Sequence, residues 1–303
     1  MFRHDALLYA DADEFVAGTA AFVRDGLAAG EPVLVAVVEP NRSRLREELG
    51  PDVGRVEFLD LAQLGRNPAR LLPAWQDRLD RLAPAGTGLR GVSEPGRVGR
   101  TRAESVECQL HEQLLNTAFA NGPGWWLLCP YDTAALSEDV IKDALDAHPG
   151  PVAPLAGDDS RPEPSAIALF AGALPEPGHY LYRAQFGRTD LGSLRHSLSA
   201  HATDLGARTA DLVLAVNELA CNSVLYGSGT GTVSLWHEDG NVVCEVHDQG
   251  VITDPLVGRR RPAGAVTGGA GLWMVNQLCD LVQIRSAPGT GTTVRVSMAL
   301  PDA

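Results

Sequence analysis

Lysine is almost missing from this chain. Among 25 Lys and Arg residues, Lys142 is the single lysine, set in Val140-Ile141-Lys142-Asp143 and far from any glycine loop. A Walker-A phosphate loop ends in Gly-Lys-Ser/Thr, so a P-loop NTPase is excluded, as is a kinase of the eukaryotic type with its strand lysine. A pyridoxal-phosphate enzyme would have to use Lys142, which reads as a solvated helix residue. Positive charge is short as well: 38 Asp and Glu leave a net charge of −13. That balance disfavours nucleic acid as a direct partner, because neutralising phosphates takes clustered Lys and Arg. Cysteine is sparse, with Cys108, Cys129, Cys221, Cys244 and Cys279 far apart and no C-x-x-C. This is the pattern of reduced, mostly buried thiols in a cytoplasmic protein. The eight histidines show no metal-ligand spacing, so no zinc site is expected. No apolar run reaches the ~18–20 residues that cross a bilayer, and no membrane partner is expected. Nor is a leader expected, since Met1-Phe2-Arg3-His4-Asp5 runs at once into acidic residues.

What is present is an ordinary globular composition of 45% hydrophobic and 21% charged residues over 303 positions, enough for two domains. Residues 1–150 alternate strand-like and helix-like segments. Ala6–Tyr9, Val33–Val38, Val56–Leu59 and Trp125–Cys129 read as strands, the last followed by Pro130-Tyr131-Asp132. Asp11–Ala29 (closed by Gly30), Asn41–Leu49, Pro73–Leu82 and Thr101–Ala120 read as helices. That rhythm implies an α/β domain with a mostly parallel sheet flanked by helices. Residues 151–165 are rich in Pro, Gly, Asp and Ser and read as a linker. Residues 166–303 change rhythm. Tyr180–Phe186 reads as a strand, and Leu191–Leu205 and Thr209–Tyr226 as helices. A hairpin of Gly231–His237 and Asn241–Asp248 turns at Glu238-Asp239-Gly240-Asn241. A short helix, Leu272–Cys279, precedes strands Leu281–Ser286 and Thr292–Met298. Helices followed by antiparallel strands imply an α/β sandwich with a mixed, largely antiparallel sheet.

Four pieces of the second half carry chemistry. Glu218 and Asn222 are four apart on a helix and share a face, where a carboxylate beside a carboxamide can polarise a hydroxyl and ligate Mg2+ through oxygen; the plainer alternative is an exposed polar stripe. Asp248-Gln249-Gly250 ends a strand, where an aspartate can accept from an exocyclic amine and a glycine leaves room for a flat base; Asp-x-Gly is also a common turn. Gly268-Gly269-Ala270-Gly271-Leu272 opens a helix whose amides and dipole can converge on phosphate oxygens, or serves as a hinge. Gly289-Thr290-Gly291-Thr292-Thr293 enters the last strand, where threonines also serve as plain strand formers.

In order and spacing these four pieces resemble the boxes of the GHKL ATPase superfamily, and residues 180–300 look most like the anti-sigma-factor serine-protein kinases of the RsbW and SpoIIAB kind. The resemblance implies a GHKL (Bergerat) fold that binds ATP and Mg2+. It implies Glu218 as general base, Asn222 as the Mg2+ ligand, Asp248 as reader of the adenine amine and Gly250 as room for the ring. It further implies Gly269 and Gly271, with Leu272, around the phosphates, Thr292 or Thr293 at the adenine pocket, and a lid over Gln249–Gly268. Arg259-Arg260-Arg261 in that lid reads as a solvated basic turn, or as a contact to phosphates or to an acidic partner. Val251-Ile252 stands where a fuller D-x-G-x-G box has its second glycine.

In the first half, His4–Tyr9, Gly26–Val38, Glu94-Pro95-Gly96-Arg97, Glu112–Asn116, Cys129-Pro130-Tyr131-Asp132 and His148-Pro149 resemble the MEDS sensory domain, a RecA/KaiC-like module. His4, Tyr131 and Asp132 are pocket candidates for a small-molecule ligand, since ligands sit beyond strand C-termini in open α/β sheets. Cys129 and His148 read as a buried thiol and a helix-end histidine. Together the resemblances imply a cytoplasmic anti-sigma regulator. It would bind a sigma factor and phosphorylate a serine or threonine of a STAS-type anti-sigma-factor antagonist, under control of the sensory domain, and could form a homodimer. The alternatives are a non-catalytic ATP-dependent binding switch and a histidine-kinase remnant. Leu194-Arg195-His196-Ser197 lacks the acidic residue that normally follows a phosphoacceptor histidine.

Overall fold

The computed structural model describes residues 1–61, 66–82, 88–96, 99–122, 124–148, 166–262 and 270–301. The chain divides into two compact units, Met1–Ser165 and Ala166–Ala303. Residues 151–165, read as a linker, lie outside the described residues.

In the first unit five strands, β1 (Arg3–Tyr9), β2 (Val33–Val37), β3 (Val56–Asp60), β4 (Arg90–Ser93) and β5 (Trp126–Asp132), form one sheet in the order β1-β5-β4-β2-β3. All its pairings are parallel. Parallel strands need crossovers, which cover both faces and select apolar residues along the whole strand; Val33–Val37 is buried at all five positions. Helices α1 (Ala12–Ala28) and α2 (Asn41–Leu49) pack Phe15, Phe22, Val23 and Leu45 against Val33, Val35 and Val37. Helix α3 (Leu71–Leu82) covers the opposite face, with Trp75 laid against Gly91. Asp11 caps α1 by accepting from Glu14 N at 2.9 Å, and a Thr101–Glu104 capping box starts α4 (Arg102–Phe119). Helix α5 (Glu138–Ala147) follows β5 and is capped by Ser137.

Two features differ from the sequence reading. Strand β4 is unforeseen, because Arg90-Gly91-Val92-Ser93 is too short and mixed to show a period. Pro130-Tyr131-Asp132 continues β5 instead of following it. Pairing with β4 stops at Leu128, so Pro130 has only β1 beside it, and the missing N–H interrupts no second ladder.

The second unit holds α6 (Ala166–Ala171), β6 (Tyr182–Gly187), α7 (Leu191–His201), α8 (Thr209–Tyr226), β7 (Thr230–Glu238), β8 (Asn241–Asp248), α9 (Ala270–Leu278), β9 (Leu281–Ala287) and β10 (Gly291–Ala299). The sheet order is β6-β7-β8-β10-β9, antiparallel at every pairing. Period-2 alternation turns Val233 and Leu235, Val242, Cys244 and Val246, and Val294, Val296 and Met298 to one face. There they meet Leu198, Leu212, Val216, Leu219 and Val275 of the helices in one core. The helix read as Leu191–Leu205 stops at His201. A 3-10 turn, Thr203–Arg208, intervenes, and Gly206 within it has φ +55°, which no helix continues. The turn is pinned by Arg208, whose guanidinium reaches both carboxylate oxygens of Asp280 at 2.6 and 3.2 Å.

Candidate nucleotide site

A cavity of about 230 Å3 opens between α8, α9 and the ends of β8 and β10. Its walls are largely apolar, with Leu219, Val246, Ile252, Val257, Leu272 and Val294 around it. Polar groups enter at few points: Asn222 and Ser223 from α8, Asp248 from β8 and Thr292 from β10. An apolar slot with a few convergent polar groups is the usual form of a small-molecule site.

Asp248 is held at the floor by two donors. Its Oδ1 accepts from Gly250 N–H at 2.7 Å and its Oδ2 from the Ser223 hydroxyl. A Cβ on Gly250 would come within 3.0 Å of Asp248 Oδ1, Gly227 Cα and Tyr226 O, so only glycine fits there. Thr292 Oγ1 donates to Gly250 O and contacts Ser286 Oγ, each at 2.8 Å, and Ser286 Oγ accepts from Ile252 N–H at 2.8 Å. Gly291 precedes Thr292 with φ +80°, and a Cβ there would lie 2.1 Å from Asp248 O. The close approach of β10 to β8 at this point therefore depends on a missing side chain.

At the other end of the cavity, Gly271 lies against the α8 carboxylate and carboxamide. A Cβ added there would sit 3.2 Å from Glu218 Oε2 and 3.4 Å from Asn222 Nδ2. Glu218 and Asn222 thus share the helix face next to the first turn of α9, where amides and dipole favour anions. The described part of the lid segment is tacked down. Leu256 is buried, Val257 lines the cavity, and Asn276 Nδ2 donates to Gly258 O at 3.0 Å.

The structure brings together Glu218, Asn222, Asp248, Gly250, Gly271, Leu272 and Thr292. Gly269 lies outside the described residues, as do lid residues 263–268. Thr293 requires correction: strand alternation points it to the other face, where its hydroxyl lies 3.0 Å from His247 Nδ1. The basic run is also corrected in part, since Arg259 is buried while Arg260 and Arg261 are exposed. Ser223 and Ser286 were missed. Ser223 follows Asn222 and carried no spacing signal of its own; Ser286 sits opposite Thr292 in the hairpin register.

Two regions stand out in the first unit. The chain leaves β2 toward β3 and leaves β4 toward β5, so the strand order reverses between β2 and β4. Beyond their C-terminal ends lies a cleft of about 670 Å3 lined by Tyr9, Asn41, Arg44, Asp60, Glu94 and Asp132, where open α/β sheets bind ligands. Buried Glu94 accepts from Val38 N–H at 3.0 Å and Asn41 Nδ2 at 2.9 Å. Burial and the nearby Glu94 carboxylate push the Tyr9 hydroxyl up to about 12. Asp132 belongs to this cleft, but His4 and Tyr131 do not line it. They join a buried group in which Glu112 Oε2 lies 3.4 Å from both His4 Nε2 and His148 Nε2, and 3.2 Å from the Tyr131 hydroxyl that donates to it. Cys129 Sγ is 3.4 Å from His4 Nε2. Burial, then His148, lowers His4. For Glu112 burial works upward, but the adjacent His148 and His4 outweigh it and hold the carboxyl well below its usual range. Burial and the Glu112 charge raise both Cys129 and Tyr131.

The antiparallel sheet under helices, with the aspartate-floored cavity between α8 and α9, is an α/β sandwich of the histidine kinase-like ATPase class. Residues 188–298 match the family profile of the histidine kinase-like ATPase domain. Residues 3–149 match that of MEDS, the methanogen/methylotroph DcmR sensory domain. The chain is therefore a MEDS domain followed by a histidine kinase-like ATPase domain. Among solved structures, it is similar to the crystal structure of the RsbU and RsbW domains of Rv1364c from Mycobacterium tuberculosis. The identity is 22% and the TM-score 0.29, over 40% of this chain and 32% of that one, so this chain spans about a third of that chain's length. No curated protein matches. Among the described residues, no helix is long and apolar enough to cross a membrane.

Proposed function

We propose that the second unit binds ATP with Mg2+ and transfers the γ-phosphoryl group to a serine or threonine of an anti-sigma-factor antagonist. In this reading it also binds a sigma factor, and the MEDS domain sets its activity in the cytoplasm. The observation that carries the reading is the pairing of a hydrogen-bonded Asp248 at one end of an apolar slot with Glu218 and Asn222 at the other, against Gly271. A purine would lie between Leu272, Val246 and Ile252 over Gly250, its amine donating to Asp248. The phosphates would extend toward the start of α9. Asn222, with its carboxamide beside Gly271, suits Mg2+, a hard ion that takes oxygen ligands. When bound, Mg2+ would neutralise phosphate charge.

Glu218 would accept the proton of the substrate hydroxyl as that oxygen bonds to the γ-phosphorus. The bond from the γ-phosphorus to the β–γ bridging oxygen breaks, and ADP leaves. A positioned base contributes roughly 10²–10⁴-fold to such a step. Glu218→Ala is therefore expected to lower phosphotransfer by that factor while ATP still binds. The check is labelled ATP with an antagonist protein: an acid-stable phosphoserine or phosphothreonine is expected, and an acid-labile label on His196 would point to the histidine-kinase reading instead. Ser223→Ala removes one of two donors to Asp248 and is expected to weaken ATP binding by about 1 kcal/mol, measured by calorimetric titration.

One observation favours the non-catalytic switch as second reading. Where a second glycine would free the lid, Ile252 is fixed by its N–H to Ser286 Oγ and lines the cavity. Nucleotide-dependent release of a partner, unchanged by Glu218→Ala and abolished by Asp248→Ala, would select that reading.

A further inference from the structure

The buried group in the first unit converges from four separate elements. His4 comes from β1, Glu112 from α4, Cys129 from β5, and His148 caps the end of α5. One ligand atom from each lies within 4.8 Å of all the others, and all four residues are buried. The hydrogen bonds behind the two imidazoles place a proton on Nδ1 of each ring. Asn116 Nδ2 donates to Ala147 O at 2.8 Å, so its oxygen is the atom facing His4 Nδ1 at 3.1 Å, and His4 Nδ1 must donate. His148 Nδ1 faces the Ala144 carbonyl, which only accepts, so it donates too. In its neutral form each ring therefore turns an accepting Nε2 toward Glu112 Oε2 at 3.4 Å; the Cys129 thiol lies 3.4 Å from His4 Nε2 and the Tyr131 hydroxyl donates to Glu112 Oε2 at 3.2 Å.

Three acceptor atoms facing one another out of contact with water are unfavourable unless a proton or a metal cation lies among them. In accord, His148 Nε2 and Glu112 Oε1 have no hydrogen-bond partner, with side chains 0% and 4% exposed. The spacing fits as well. A tetrahedron with metal–ligand bonds of ~2.0–2.1 Å has edges of about 3.4 Å, and the two contacts from His4 and His148 to Glu112 are 3.4 Å; a zinc–sulfur bond of ~2.3 Å lengthens the nitrogen–sulfur edge to about 3.5 Å, beside 3.4 Å from His4 to Cys129.

We propose that His4, Glu112, Cys129 and His148 form a four-coordinate site for a borderline divalent transition metal, of which zinc is the best match. The donor set of two imidazoles, a thiolate and a carboxylate suits Zn2+ and not Ca2+ or Mg2+, which take oxygen ligands. Carboxylate and thiolate together balance the ion's two charges, so the loaded site is neutral in its buried surroundings. Binding replaces the thiol proton, which is released to solvent. Asn116 and the Ala144 carbonyl orient the rings as outer-shell partners do in metal sites. A cleft of about 680 Å3 reaches Glu112 and Tyr131 from outside, past Arg100, Ser105 and Lys142, and supplies a path for the ion. Such an ion would tie β1, α4, β5 and α5 together.

The test uses the full chain stripped with a chelator and then titrated with Co2+. One equivalent is expected to give the intense visible bands of tetrahedral cobalt and a near-ultraviolet thiolate-to-cobalt band, both displaced by Zn2+. Cys129→Ser is expected to abolish the thiolate band, Glu112→Gln to weaken binding at least tenfold, and Cys221→Ser to change nothing. A folded wild-type chain, checked by circular dichroism, that develops no cobalt spectrum would overturn the proposal without reference to any variant. So would a thiolate band that survives Cys129→Ser or vanishes with Cys221→Ser. In the first case a proton, shared between the histidines and Glu112, holds the cluster instead.

Discussion

Replacing Asp248 by alanine is expected to weaken ATP binding by about 1–3 kcal/mol, roughly tenfold to a hundredfold in Kd. The carboxylate is oriented before any ligand arrives, because Gly250 N–H and the Ser223 hydroxyl each hold one of its oxygens. An adenine amine then meets an acceptor already in place and loses little to ordering. Alanine removes that acceptor and also strands the Gly250 and Ser223 donors beside an apolar wall. Calorimetric titration of ATP into wild type and variant reads the effect, with thermal unfolding alongside to show that the variant is folded. Ser223→Ala, which leaves the Gly250 bond intact, should lie between the two. Equal affinity in wild type and Asp248→Ala would remove the base-reading role from this residue.

The largest loss of stability is expected at Gly291. Its φ of +80° costs an L-residue about 1–2 kcal/mol, and the added Cβ would lie 2.1 Å from the carbonyl oxygen of Asp248. That oxygen belongs to the main chain of β8, which pairs Asp248 with Thr292, so relief requires the two strands to part. Gly291→Ala should therefore cost on the order of 3 kcal/mol or more, toward the upper end for single substitutions. It should lower the unfolding midpoint of the second unit by roughly 10 °C. Gly289, two residues earlier, has φ +85° and nothing within 4 Å of its Cβ. Gly289→Ala isolates the backbone strain alone and should cost about 1–2 kcal/mol. Scanning calorimetry of both variants separates strain from collision. Similar midpoints in the two would show that β8 and β10 tolerate the crowding. Because Gly291 sets the distance between the Asp248 and Thr292 main chains, its variant should also bind ATP less tightly, whereas Gly289→Ala should not.

Most of the second unit was legible because its signals are local. The span Thr209–Tyr226 has helical spacing throughout, and the turn at Glu238–Asn241 carries glycine next to Asp239 at φ +46°. Glu218 and Asn222 share a face by arithmetic, and Asp248 falls at a strand end. What was not legible depends on tertiary contact. Whether Thr292 or Thr293 faces the cavity turns on a one-residue register choice. Arg259 is buried although its composition reads as solvated. In the first unit the extension of β5 through Pro130 depends on where β4 stops pairing. The group at His4, Glu112, Cys129 and His148 spans residues 4 to 148, so rules that search for ligands a few positions apart pass over it. Only the sheet order, which sets β1 beside β5, brings His4 next to Cys129.

The central claim is that a purine nucleotide occupies the slot between the helix bearing Glu218 and the helix opened by Gly271. A crystal structure of the full chain with ADP and Mg2+ addresses it most directly. Expected is a purine stacked over Gly250 between Leu272 and Val246, its amine within hydrogen-bond distance of Asp248, and phosphates at the start of α9 near Asn222. ADP bound elsewhere with the slot filled by protein side chains would contradict the claim.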